Sequence, residues 1–211
     1  MIGKLSLKYN LDLKIIGVAI LYYLSARIGY FFEFENTTAL PAWPPSGIAF
    51  ALIILLGRSS WPGITMGSLV ANVMAYWNNP DLPHQTIITI SSLIAIGNTL
   101  EAVAGNYLVK TWIKDDFPFR TTKNAFRFLF VTLLMCVFGA GIGTLSLYLN
   151  DAVLVENLVR TGFSWWVGNV VGILLFTPVI LAISKRVPST FSSEKAMEVG
   201  IFLLNILVIY W

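Results

Sequence analysis

The stretch Trp43-Pro44-Pro45-Ser46-Gly47-Ile48-Ala49-Phe50 opens an apolar run that ends at Leu56, just before Gly57-Arg58. A helix over this run rises about 1.5 Å per residue and is only about 21 Å long, whereas the hydrocarbon core of a bilayer is about 30 Å thick. With Arg58 at one membrane face, the Trp-Pro-Pro start falls below the opposite face, about a third of the way in. Proline suits the first helical positions, because its missing N–H is one that the helix leaves unpaired anyway. The N–H groups after the prolines are then expected to face a space at membrane depth, where the helix dipole favours anions or carbonyl oxygens. Short helices that begin inside the membrane mark binding sites in many transporters. The alternative is a hairpin tip held at headgroup level by Trp43.

Composition sets the class. Of 211 residues, 56% are hydrophobic and 12% charged, against about 25% charged in a soluble domain. The mean hydropathy of +0.74 points the same way. The reading is an all-α integral membrane protein, one polytopic helical bundle over residues 1–211 with no separate soluble domain. The single cysteine, Cys136, excludes an intramolecular disulfide and a cysteine metal cluster. Lys4 and Lys8 before an apolar run imitate a signal peptide. Leu24-Ser25-Ala26 is a poor cleavage site, however, and more spans follow, so the first helix is read as uncleaved.

About seven spans are predicted: Leu13 to Phe34, the short second helix to Arg58, Trp61 to about Trp77, Gln85 to Val109, Asn124 to Leu149, Ser164 to Ser184, and Ala196 to Trp211. All of the 14 Lys and Arg except Arg27 and Arg160 then fall on one side. By the positive-inside rule that side, with the amino terminus, is cytoplasmic. Gly63, Gly67, Ala71 and Ala75 form a small-residue stripe on the third helix. Lys110 to Lys123 reads as an inner loop, and Asn150 to Phe163 as an outer segment that permits a short surface helix. His84, the only histidine, sits at a loop–helix junction, where solvation is the plain reading and a ligand or pH-sensing role the sharper one. Pro178 is expected to bend the sixth helix or weaken one turn.

Several polar residues lie within the spans. Arg27, the Pro44-Pro45-Ser46 helix start with Trp43, Asn72, Trp165, Trp166 and Asn169 all fall in the outer third of the bilayer. If their helices adjoin, they frame a hollow open to the outside. It would offer one cation, helix N–H groups, two amides and aromatic walls, suited to a small molecule with a carboxylate, a phosphate or several polar groups. The alternative has Arg27 paired with Glu33 or Glu35 and the amides satisfying helix backbones. Deeper in the fourth helix, Asn98 and Glu101 are intramembrane polar residues, and a carboxylate at that depth is a functional candidate. A hydrogen bond that joins helices explains it as well as a signalling role. There is no Walker loop, no metal-ligand cluster, no cofactor motif, no nucleophile–base constellation and no nucleic-acid module. Catalysis within this segment is therefore not expected.

With these motifs in place, the chain resembles the first MASE class of membrane-associated sensor domains. The likeness rests on Ala42-Trp43-Pro44-Pro45-Ser46-Gly47-Ile48-Ala49, on Gly57 with Trp61-Pro62-Gly63-Ile64 and Gly67, and on Trp165-Trp166-Val167-Gly168-Asn169 with Gly172 and Pro178. Their order and spacing cover the chain from about Ile15 onward. The family often carries an acidic residue where this chain has Asn169. The resemblance implies a bundle of about eight helices in the bacterial inner membrane, fused in cis to cytoplasmic output modules such as histidine kinases or diguanylate cyclases. The sequence is then expected to be the sensor portion of a longer, dimeric protein. Its partners would be the lipid bilayer and a small ligand or a membrane protein, with no nucleic acid. Two rival readings are a substrate-binding membrane subunit of a small-solute transporter and a purely structural anchor.

Overall fold

The computed structural model describes residues 11–31, 42–114 and 117–184, which are helices and short connections with no strand among the described residues. α1 (Leu11–Phe31) precedes the short α2 (Pro44–Leu56). A single 3-10 turn, Arg58–Ser60, leads into α3 (Trp61–Tyr76). α4 (His84–Leu108) is prolonged by a π turn, Val109–Ile113; α5 (Thr122–Leu149) follows, and a 3-10 turn, Val155–Asn157, feeds α6 (Leu158–Ser184). Among the described residues, three helical stretches are long and apolar enough to cross a membrane: His84–Ile113, Thr122–Leu149 and Val155–Ser184. α2, with 13 residues, is not. The predicted seventh span, Lys4, Lys8, Glu33, Glu35 and the basic residues after Ser184 lie outside the described residues.

The helices pack as a ring: α1 on α3, α3 on α4, α4 on α5 and α5 on α6, with α2 closing the ring between α6 and α1 and also touching α4. The one short helix is therefore central, and Phe50 and Ile53 on it are fully buried. Phe50 stacks on Phe128 of α5 at 5.7 Å, in a core with Ile64, Met135 and Ile173. Lipid tails are as apolar as leucine, so close packing and interhelical hydrogen bonds must hold such a bundle. Gly63 and Gly67 serve the first purpose. A Cβ on Gly63 would strike the Ile15 carbonyl, and one on Gly67 would lie 2.6 Å from that of Ala19. Ala71 is buried along the same stripe, but Ala75 is exposed, so the stripe ends one turn early.

Three boundaries differ from the sequence reading. α4 does not stop at Val109: its π turn carries Lys110, and Arg127 Nη1 donates to the Trp112 carbonyl at 2.8 Å, capping carbonyls that a helix end leaves open. No separate surface helix forms between Asn150 and Phe163. α5 closes on Asp151 in the left-handed region (φ 56°), with Ala152 N–H on the Leu147 carbonyl at 2.9 Å, and α6 starts at Leu158 rather than Ser164. Gly162 alone does not interrupt it. Pro178 lies inside α6, and the helix continues through it.

Candidate functional site

The start of α2 follows from its prolines. The residue before a proline is pushed out of the helical region, and Trp43 is extended at φ −106°, ψ 91°. Its N–H is thereby free to leave its own helix, and it donates to the Gly168 carbonyl of α6 at 2.8 Å. Pro44 and Pro45 have no N–H to satisfy, and the Ser46 N–H turns back to the Trp43 carbonyl at 3.2 Å. A helix can thus begin among buried side chains without stranding donors. Gly172 and Gly47 let the two backbones touch. A Cβ on Gly172 would strike the Trp43 carbonyl, and one on Gly47 the Gly172 carbonyl. Thr177 Oγ1 adds a bond to the Gly47 carbonyl at 2.8 Å. Gly168 lies ten residues into α6, so α2 begins about 15 Å below the start of that helix.

Two buried polar groups flank this junction. In the first, Asn169 Nδ2 on α6 donates to Glu101 Oε2 on α4 at 2.8 Å. Gly139 of α5 makes room, since a Cβ there would strike Glu101 Oε2. Ser46 lies on the same carboxyl without closing a well-aligned hydrogen bond, and Ser46 Oγ and Asn169 Oδ1 have no hydrogen-bond partner among the described residues. Glu101 therefore ties α4 to α6 beside the first turn of α2, at the positive end of that helix. In the second group, Asn98 Nδ2 on α4 donates to the Tyr22 hydroxyl of α1 at 3.0 Å and to Ser68 Oγ of α3 at 2.9 Å. Asn72 Nδ2 donates to the Ser68 carbonyl at 2.8 Å. Tyr22 also lies within side-chain hydrogen-bonding range of Trp43. Three helices, α1, α3 and α4, meet on this second group, beside Trp43 at the head of α2.

A cavity of about 270 Å³ lies against the second group. Its floor is Asn98, Asn72, Trp43 and Gly168, and its walls include Tyr30, Tyr76, Ile94, Leu147 and Trp165. Asn79 and Leu82 of the α3–α4 turn, Ala152 and Val153 of the α5–α6 turn, and Thr161 and Ser164 of α6 complete it, so it lies toward the end of the bundle that carries those two turns.

The structure divides the candidates named from sequence. Trp43, Asn72 and Trp165 line the cavity, as does Asn98. Pro44, Pro45, Ser46 and Asn169 are buried but do not line it; Ser46 and Asn169 converge on Glu101 beneath it. Arg27 does not join them: it is exposed, because its neighbour Ala26 takes the packed face of α1. Trp166 also faces elsewhere. Its Nε1 donates to the Leu133 carbonyl of α5 at 3.0 Å, and its ring lines an open apolar groove between α5 and α6. The expected free N–H groups at the start of α2 are not there, since that of Ser46 is spent on Trp43. His84 stacks on Trp77 at 4.4 Å, outside the cavity.

Sequence reasoning missed Tyr22 and Ser68. Tyr22 reads as one of many belt aromatics. Ser68 lies one turn before Asn72, on the face next to Gly67, and that spacing is the signal that was available.

A family model described as MASE1 matches residues 16–210 of the chain. No curated protein and no solved structure matches it.

Proposed function

The chain belongs to the MASE1 family of membrane-associated sensor domains, and we propose that it is the sensory input part of a bacterial inner-membrane signalling protein. In this reading the amino terminus is cytoplasmic and the cavity opens to the periplasm. The family and the membrane-length helices make the chain a multi-pass membrane protein. The orientation is supported by the distribution of Lys and Arg, which puts the α3–α4 and α5–α6 turns outside. The output module is of the kind joined to such domains, a histidine kinase or a diguanylate cyclase, acting as a dimer. The observation that carries the proposal is the position of the cavity: residues of α1, α3, α4, α5 and α6 line it together with Trp43 at the head of α2, and its floor is hydrogen-bonded across α1, α3 and α4. An occupant touches five helices and the residue that leads into α2, so it can favour one packing of the bundle over another. Only that differential affinity produces a signal.

The test fills the mouth of the cavity. Ala152→Trp changes a half-buried turn residue that lines it. In the full-length protein in membranes, phosphotransfer or nucleotide cyclisation is expected to shift severalfold and to stop responding to the stimulus. Output identical to wild type, from a variant present at normal abundance, refutes the sensory reading and favours a transport or anchoring role.

A further inference from the structure

The hydrogen bonds beneath the cavity decide which chemistry it presents. Asn72 Nδ2 donates to a backbone carbonyl, that of Ser68, which can only accept. The amide nitrogen is thereby oriented, and Asn72 Oδ1 is left without a partner among the described residues. Asn98 spends its Nδ2 on Tyr22 and Ser68, and its Oδ1 likewise has no partner among them. Both side chains line the cavity and both are more than nine-tenths buried. Two acceptors thus stand on the floor, that of Asn72 fixed by the Ser68 carbonyl, with the rings of Trp43 and Trp165 beside them.

Among the described residues, no charged side chain lines the cavity. Arg27 is exposed on another face, and Glu101 is taken up by Asn169 below. The start of α2 offers no compensation to an anion, since two of its first three residues are prolines and the Ser46 N–H is already bonded. A net charge entering here would lose its hydration and gain no counter-charge from the described residues, an unfavourable exchange. At about 270 Å³ the cavity is also at the small end of ligand sites, commonly about 300–1,000 Å³.

We infer that the cavity takes a small uncharged molecule with at least two O–H or N–H donors, such as a neutral polyol or a carboxamide, and discriminates against its charged analogues. This rests on the reading of the cavity as the ligand site. The donors bond Asn72 Oδ1 and Asn98 Oδ1, and an apolar face of the molecule lies on the indoles.

The test uses matched probes on the full-length protein in lipid nanodiscs: glucose against glucuronate, myo-inositol against inositol monophosphate, and nicotinamide against nicotinate. Saturable thermal stabilisation is expected from at least one neutral member, with its charged partner at least about tenfold weaker. Asn98→Leu is expected to weaken the neutral probe by about tenfold, the worth of one hydrogen bond. Val153→Trp, on a turn and clear of the interhelical bonds, is expected to abolish binding even if Asn98→Leu fails to fold. A charged member that binds as tightly as its neutral partner overturns the inference, and so does the absence of binding by all three neutral probes. The two readings fail separately: a neutral probe that binds while output ignores Ala152→Trp keeps the ligand class and removes the sensory role.

Discussion

Replacing Gly172 by alanine tests the contact that seats α2 in the bundle. The added Cβ would strike the Trp43 carbonyl, which is backbone and cannot swing aside as a side chain can. α2 must therefore move off α6. Two bonds cross that seam, Trp43 N–H to Gly168 at 2.8 Å and Thr177 Oγ1 to Gly47 at 2.8 Å. Losing both costs about 2 kcal/mol, and forcing an extra methyl into a packed interior about 1–3 more. Alanine recovers about 1 kcal/mol over glycine in helix propensity. The net loss is about 2–4 kcal/mol, large against a total stability of about 5–15 kcal/mol. The assay is equilibrium unfolding of the purified protein in mixed micelles. Gly141→Ala is the control, because a Cβ there meets nothing within 4 Å, and it is expected to be neutral or up to about 1 kcal/mol more stable. Gly172→Ala as stable as Gly141→Ala would refute the backbone seam.

Two further outcomes follow from the same geometry. Asn169→Ala and Glu101→Ala, each measured alone and together, are expected to be coupled by about 0.5–3 kcal/mol in a double-mutant cycle, since they share one buried hydrogen bond. Additive effects would mean that the bond carries no stability. Arg27→Ala, at an exposed position away from the cavity, is expected to change stability by less than about 0.5 kcal/mol and to leave output intact. A lost response in that variant would return Arg27 to the site.

How far the sequence could be read depends on whether the cause was local. The start of α2 was legible to the residue because a proline pair opens it, and its end to within two residues, since Gly57, at φ 91°, stops the helix at Leu56 rather than Arg58. Level along the bundle was legible as well, from rise per residue: Asn72, Trp43 and Trp165 were placed at a common level, and they line one cavity. Azimuth was not. Arg27 and Ala26 differ by one residue, about 100° of helix rotation, and only the packing of α1 against its neighbours says which of them turns inward. Gly168 and Asn169 divide in the same way, one lining the cavity and the other held by Glu101, 68 residues away in sequence. The π turn after α4 was equally hidden, since its carbonyl cap comes from Arg127 on the next helix.

The central claim is that the cavity is reached from the periplasm, and thiol labelling tests it most directly. Cys136 is the only cysteine among these 211 residues and is buried, so within this segment an introduced thiol can be followed alone. Val153→Cys at the cavity rim is expected to react with a membrane-impermeant maleimide in intact cells, whereas Ser59→Cys at the opposite end of α2 is expected to react only after lysis. The reverse pattern would place the cavity on the cytoplasmic side and contradict the account.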